Sequence, residues 1–439
     1  MRAVMTCLLA LATGLASAAP VHQAPADGPV PVRIERDGDG YRMTRGGQPY
    51  YVHGAGSASG DLEQLAARGG NSFRTWSTGT DVAKVRAMLD RAQRNGLTVA
   101  MGLAVGKERH GFDYDDPQAV AAQLAALRQE VRLYKDHPAV LMWLVGNELN
   151  LEYRNPKVWD AVGQIADMIH AEDPHHPVMT PLAGFDRTLI DRIKARAPSL
   201  DLIGVQLYGD LGELPAKLRA ADWTGPYIVT EWGPTGHWES PLTAWGAPVE
   251  DDASRKAALF QQRYRGVIAA DTCQGLGSYV FLWGHKQERT PTWYGLFLPT
   301  GESTPAVDAM QQLWTGRWPA NRVPSIEPAR IDGRLAIDSV VLAPGGAHQA
   351  TAPARDAEGD RLQWRWYALE ESTATSIGGD PEAVPAQVDL QARIDADGRL
   401  HFTAPARPGH YRLFAEVRDG HGHAAYANIP FRVAPRQAK

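Results

Sequence analysis

Two glutamates in this chain each end a run of apolar residues. Glu148 follows Val-Leu-Met-Trp-Leu-Val-Gly-Asn, and Glu231 follows Tyr-Ile-Val-Thr. Burial disfavours a charged carboxylate, so an apolar strand that closes on one, twice, implies a task for both. Two carboxylates facing each other across a cleft can cleave an acetal: at a separation of about 5 to 5.5 Å, one attacks the anomeric carbon while the other protonates the departing oxygen. Glu152 and Glu239 follow soon after in the chain and are weaker candidates for the same work, and His175-His176 sits in a polar loop. No His-x-x-x-His or Cys-x-x-Cys spacing suggests a catalytic metal, and no cofactor is expected.

The elements that must hold these glutamates read as repeated βα units. After a hairpin over 32–36 and 41–44, apolar β-branched runs recur at 50–54, 71–76, 97–104, 140–147, 178–182, 202–208, 227–231 and 278–283. Helix-patterned stretches at 81–95, 117–135, 156–171 and 253–270 lie between them. Eight such units have the size of a (β/α)8 TIM barrel, whose chemistry sits at the carboxyl ends of the strands. Strands four and seven lie across the lumen from each other, which lets Glu148 and Glu231 meet. A doubly wound sheet is the alternative, but no phosphate-cradling Gly-x-Gly-x-x-Gly follows an early strand. Past Trp318 the pattern changes to Pro319, Pro324 and Pro328, and then to short alternating runs at 362–367, 400–403, 411–418 and 425–433. That is an all-β, Ig-like sandwich. Turn chemistry accounts for its Asp356, Glu358 and Asp360 without a metal. The expected organisation is a leader over 1–19, a catalytic barrel with its hairpin over 20–319, and a β-sandwich over 320–439. The sandwich offers no carboxylate to the barrel mouth and is expected to stand apart from the chemistry.

The 439 residues carry 45 Lys+Arg against 50 Asp+Glu, a net charge of −5, with 44% hydrophobic residues. Such a balance, without basic runs, leaves no electrostatic footprint for nucleic acid. The first residues combine Arg2, an apolar stretch and Ala16-Ser17-Ala18, the pattern of a secretory signal peptide too short to span a bilayer. Its removal takes Cys7 with it, leaves Cys273 as a lone thiol, and implies a periplasmic or secreted product with no membrane insertion afterwards.

With these motifs in hand, the chain from about Tyr50 to Trp314 resembles a clan A glycoside hydrolase, closest to the barrel domain of glycoside hydrolase family 2. The Asn147-Glu148 pair ending strand four and Glu231 ending strand seven fall where that clan keeps its acid/base and its nucleophile. The resemblance therefore assigns Glu148 as acid/base and Glu231 as nucleophile. It further implies that Arg74, in Phe73-Arg74-Thr75-Trp76, orients the nucleophile and that Asn147 hydrogen-bonds the sugar 2-hydroxyl. Tyr208 matches an aromatic hydroxyl near the nucleophile, and Trp283 the tryptophan that floors the sugar subsite. The implied activity is retaining hydrolysis or transglycosylation of a β-linked glucan or related oligosaccharide through a covalent glycosyl-enzyme.

The residues agree on physical grounds. Arg74 offers a fixed cation to the nucleophile, while an apolar or carboxylate-rich setting would keep Glu148 protonated. Flat aromatic faces suit the C–H faces of sugars, so Trp76, Trp232 and Trp283 are expected in the substrate site, with His53 at the end of strand one. Trp143, inside strand four, is expected in the core. The β-sandwich domains that precede the barrel in family 2 are missing here, which suggests a cleft open at both ends. The contrasting reading is a carbohydrate-binding barrel without catalysis, against which Glu148, Glu231, Arg74 and Asn147 all stand.

Overall fold

The computed structural model describes residues 28–57, 60–79 and 81–434; the expected leader over 1–19 lies outside them. Eight parallel strands pair in chain order: Val52–Gly56, Ser72–Arg74, Thr98–Leu103, Val140–Val145, Val178–Ala183, Leu202–Gln206, Tyr227–Trp232 and Gly275–Val280. The eighth pairs back with the first, which closes a TIM barrel. The strands are buried along almost their whole length, because helices cover the outer face while side chains fill the lumen. The helix Val82–Arg94 starts on Asp81, whose carboxylate accepts the amide of Lys84. Asp116, followed by Pro117, starts Pro117–Tyr134, and Asp252 starts Ala253–Arg263 in the same manner.

Strand one runs over Val52–Gly56 and not 50–54, so that His53 stands near its start, and two further elements differ from expectation. The eighth strand begins at Gly275, earlier than expected, because Gly275 and Gly277 belong to the strand instead of a turn. Gly277 has φ 118°, and a Cβ there would lie 2.4 Å from the carbonyl oxygen of Val52. Only glycine lets the closing strands approach so closely. The last long helix of the expected pattern ends as α-helix at Arg263 and continues through a π-helical turn, Tyr264–Ile268.

Below the barrel, a three-stranded sheet (Val32–Asp37, Gly40–Arg45, Gln48–Pro49) plugs its amino-terminal end. Val32 and Met43 pack there with Met142, Met179, Ile228 and Tyr279 of the lumen. Beyond the barrel, two sheets face each other. One orders Arg330–Ile331, Ala347–Thr351, Leu400–Thr403 and Ala392–Ile394; the other orders Val341–Leu342, Ala424–Val433, Gly409–Arg418, Gln363–Glu370 and Gln387–Val388. Ile331, Ala350 and Phe402 from the first meet Leu413, Ile429 and Phe431 from the second in one apolar core, the arrangement of a sandwich.

The sandwich does not hang free. Lys256 of the barrel is buried at the junction, where its ammonium meets Glu250 Oε1 at 2.6 Å, the carbonyls of Thr292 and Trp293, and the hydroxyl of Tyr426 from the sandwich. Glu250 Oε2 also accepts from Asn428 at 2.6 Å, and Arg412 donates to the carbonyl of Pro248 at 2.8 Å. Among the described residues, no helix is long and apolar enough to cross a membrane.

Candidate active site

A cavity of about 1300 Å³ opens at the carboxyl ends of the strands, with Glu148 and Glu231 both in its wall. Strand four ends at Val145, and the chain then turns through Gly146 at φ 71° to Glu148 at φ 53°. A glutamate in the left-handed region costs on the order of 1–3 kcal/mol, strain that is kept where side-chain direction matters. The amide of Glu148 is tied to the carbonyl of Pro181 at 3.0 Å, which fixes the bend. At strand seven the ladder to strand six slips in register between Val229 and Glu231. Such irregularities re-aim side chains at strand ends, and here Glu231 faces the cavity.

The two carboxyls sit in different surroundings. Glu231 Oε1 accepts the indole N–H of Trp76 at 2.8 Å and faces Arg74 Nη1 at 3.3 Å, while Oε2 accepts the hydroxyl of Tyr208 at 3.1 Å. Burial, together with the charge of Glu231, pushes the Tyr208 phenol well above its ordinary range, so it remains a donor. Two hydrogen bonds and a fully buried cation therefore compensate a negative charge on Glu231. Among the described residues, Glu148 has no comparable set of donors. Burial first, and the charge of Glu231 second, push its carboxyl up to about 7, against a weaker opposing pull from Lys107, Arg109 and Arg74.

Arg74, wholly buried, donates to the carbonyl of Thr230 at 3.0 Å and to Asn147 Oδ1 at 2.6 Å. Gln206 Nε2 donates to the same oxygen at 2.8 Å. With Oδ1 doubly occupied, Asn147 presents its Nδ2 donor to the cavity that it lines. Of the residues expected in the site, Glu148, Glu231, Asn147, Tyr208 and Trp76 line the cavity, and Arg74 lies directly beneath it.

Trp232, Trp283 and His53 do not reach the cavity. Trp232 is fully buried against Phe260 and Tyr264 of the helix layer. Neighbouring residues of a strand point to opposite faces, so with Glu231 turned inward Trp232 must turn outward. Trp283 is also fully buried, donating its indole N–H to the carbonyl of Asp61 at 2.8 Å and packing on Phe297. His53 points away from the lumen: its strand neighbours Gly54 and Gly56 face Tyr279 and Trp76 inside the barrel, and His53 meets Tyr51 edge-on. Trp143 is core, with its indole N–H on Asp173.

The aromatic lining comes instead from Trp76, Tyr208, Phe281 and Tyr294, which meet edge-to-face, and from Trp238, which is 59% exposed in the cavity wall. Trp238 and Tyr294 lie nearly parallel, at 27°. The rival acids are placed differently. Glu239 accepts the backbone amides of Gly209, Asp210 and Gly236, which fastens two loops, and Glu152 is exposed at the rim. Glu288 is paired with Lys286 at 2.6 Å.

Residues that the sequence reading did not single out also line the cavity. They include Gln206, Lys107, Phe281 and, from the sandwich, Ile377 to Pro381. The expectation that the sandwich keeps clear of the barrel mouth is therefore overturned: Asp380 brings a carboxylate to it. The expected doubly open cleft is walled on that side.

Comparison with known proteins agrees with this fold. Residues 61–236, which include Glu148 and Glu231, match the TIM barrel domain of glycosyl hydrolases family 2. No curated protein matches the chain. Among solved structures, the β-D-glucuronidase of Dictyoglomus thermophilum is similar with a TM-score of 0.51 at 16% identity, over 66% of this chain and 54% of that one. The Bifidobacterium dentium β-glucuronidase gives 0.51 at 17% identity, over 65% and 49%. That of Bacteroides uniformis gives 0.51 at 14% identity, over 92% and 48%. The chain thus spans about half the length of these structures, and at such identities the likeness is one of fold. Over residues 61–236 the chain is thus similar to the TIM barrel domain of glycosyl hydrolases family 2, and the barrel resembles that of a clan A glycoside hydrolase.

Proposed function

We propose that the protein is an exported, retaining β-glycosidase or transglycosylase that acts on a β-linked glucan or related oligosaccharide. The observation that carries the reading is the asymmetry of the two carboxyls: Glu231 is gripped by Trp76, Arg74 and Tyr208, whereas Glu148 is pushed up to about 7. A compensated carboxylate suits attack, and a carboxyl that stays protonated suits acid catalysis. Glu231 attacks the anomeric carbon and expels the leaving group, whose oxygen takes the proton of Glu148. Glu148 then removes a proton from water or an acceptor hydroxyl, which displaces Glu231 and restores both groups. A cavity of about 1300 Å³ exceeds the roughly 300–1,000 Å³ of ordinary small-ligand sites, which supports an oligosaccharide substrate.

A uronide-containing saccharide is a second reading. Lys107 lines the cavity, no carboxylate among the described residues pairs with it, and the similar solved structures are described as glucuronidases. Aryl β-glucosides compared with aryl β-glucuronides separate the two.

The roles are tested with an activated aryl glycoside that the wild type accepts. Glu148→Ala keeps its first step, stalls in its second, and is restored by azide with a β-glycosyl azide as product. Glu231→Ala lacks the attacking group, and azide entering its vacated space gives the α-azide. An α-azide from Glu148→Ala reverses the roles, and wild-type turnover in either variant removes the pair from catalysis.

A further inference from the structure

Two strands of the sandwich, Gln363–Glu370 and Gln387–Val388, pair antiparallel, with Ala368 opposite Val388 and Leu369 opposite Gln387. The chain joining them does not turn tightly. It leaves the sheet, crosses to the barrel, and lines the cavity that holds Glu148 and Glu231 with Ile377, Gly378, Gly379, Asp380 and Pro381.

Barrel loops on two sides hold it there. After strand three, Arg109 Nη2 meets Asp380 Oδ1 at 3.0 Å and His110 Nε2 meets Asp380 Oδ2 at 3.1 Å. After strand eight, Lys286 Nζ donates to the carbonyl of Gly379 at 2.8 Å, and Arg289 pairs with Glu382 at 3.0 Å while also donating to the carbonyls of Ala374 and Ser376. Arg289 and Glu382 are 14% and 1% exposed, while Arg109 is 4% exposed and its partner Asp380 32%. The Arg289–Glu382 pair, shielded from water on both sides, is worth more than an exposed one and is the firmer of the two anchors. The approach is close. Gly378 sits at φ 57°, and a Cβ on it would lie 3.1 Å from Glu148 Oε2 and 2.6 Å from Leu151 Cδ2.

The side on which the loop lies decides what it touches. On the reading of Glu148 as the acid, its carboxyl faces the oxygen that departs, so whatever flanks Glu148 away from Glu231 meets the leaving group. Gly378 neighbours Glu148, Leu151 and Arg109, whereas Glu231 is enclosed by Trp76, Arg74 and Tyr208. We infer that the sandwich, through Ile377 to Asp380, builds the subsite for the saccharide unit that leaves and, in transfer, for the one that accepts. Ile377 offers a partly exposed apolar face to that unit, and the backbone of Gly378 and Gly379 forms a wall with no side chain to obstruct it. The glycone pocket is then barrel-made and the aglycone pocket is shared between domains. This proposal rests on the glycosidase reading, and it adds a determinant of leaving-group and acceptor choice outside the barrel.

The test uses full-length Ile377→Ala, Asp380→Ala and Asp380→Asn, each first shown to melt as the wild type does. For each, kcat/KM is measured on an oligosaccharide and on an activated aryl glycoside with the same glycone. Deleting a wall of the leaving-group subsite lowers the ratio of oligosaccharide to aryl kcat/KM by about tenfold or more, or about 1.4 kcal/mol, and raises the acceptor concentration needed for transfer. Equal losses on both substrates, or no loss, overturn the inference. The glycosidase reading fails separately, if Glu231→Ala retains turnover or the wild type cleaves neither substrate. In that case calorimetric binding of short gluco-oligosaccharides decides the subsite: affinity reduced about tenfold in Ile377→Ala keeps it, and unchanged affinity removes it.

Discussion

Trp76 donates its indole N–H to Glu231 Oε1 at 2.8 Å, the same oxygen that faces Arg74 at 3.3 Å. Among the described residues Glu231 Oε2 accepts only the Tyr208 hydroxyl, at 3.1 Å, and on the proposed reading is the freer oxygen for attack. Trp76→Phe keeps an aromatic ring in the cavity wall and removes the donor. A hydrogen bond to a charged group contributes about 1.5–3 kcal/mol, so kcat/KM should fall roughly 10- to 100-fold with little change in melting temperature. Steady-state kinetics beside a thermal melt checks this, and undiminished kcat/KM would show that the contact does not steer Glu231.

Asn147 offers a sharper test of substrate geometry. Arg74 and Gln206 both occupy its Oδ1, at 2.6 and 2.8 Å, and leave Nδ2 for the ligand. If that donor serves the sugar 2-hydroxyl, Asn147→Ala should cost on the order of 2–4 kcal/mol in transition-state stabilisation on a 2-hydroxy substrate. On the matching 2-deoxy substrate the same substitution should cost far less. Equal losses on the two substrates would place the amide elsewhere on the sugar.

The barrel was readable because its buried parallel strands appear as continuous apolar runs, and Glu148 and Glu231 were readable because each breaks such a run. Side-chain direction was harder to read. The outward turn of Trp232 follows once Glu231 is known to face inward, but the register slip after Val229 that sets this is a matter of pairing between strands, which one strand's sequence does not carry. Period-two alternation along 52–56 would have turned His53 outward, had Gly54 and Gly56 been recognised as lumen positions. The Ile377 to Pro381 wall was invisible for another reason. Ser-Ile-Gly-Gly-Asp-Pro reads as an ordinary turn, and its partners Arg109 and Lys286 lie far away in the chain.

The junction at Lys256 ties the sandwich to the barrel through buried polar contacts, so the two are expected to share their stability. Lys256→Met leaves Glu250 buried without its cation, although Thr290, Thr292 and Asn428 still donate to it. Breaking one partner of a buried pair costs about 3–5 kcal/mol. The variant should melt well below the wild type, and a chain ending near Trp318 should fail to fold. A soluble truncated barrel that melts cooperatively at the wild-type temperature would contradict the second expectation, and a Lys256→Met variant that melts with the wild type would contradict the first.

Glu148 ties activity and stability to the same pH window. Its carboxyl is pushed up to about 7 in the folded chain, against an ordinary value of 4.5. The acid role needs the proton, so with a leaving group that requires protonation kcat/KM should fall as pH rises through about 7; an activated phenolate should weaken that limb. For stability the sign runs the same way. Between the two values the folded chain holds a proton that the unfolded chain has released, so unfolding free energy declines as pH rises from about 4.5 to about 7. Glu148→Gln is neutral throughout. It should match the wild type near pH 4 and exceed it at pH 8 by up to about 3 kcal/mol, which paired thermal melts would read. Because the charge of Glu231 is the second cause of the shift, the carboxyls titrate as a pair. Glu231→Gln should therefore move the Glu148 titration downward, followed by carboxyl-carbon NMR on labelled protein. A Glu148 titration that stays near 4.5 in the wild type, or does not respond to Glu231→Gln, would separate the two residues electrostatically and leave the acid without its means of holding a proton.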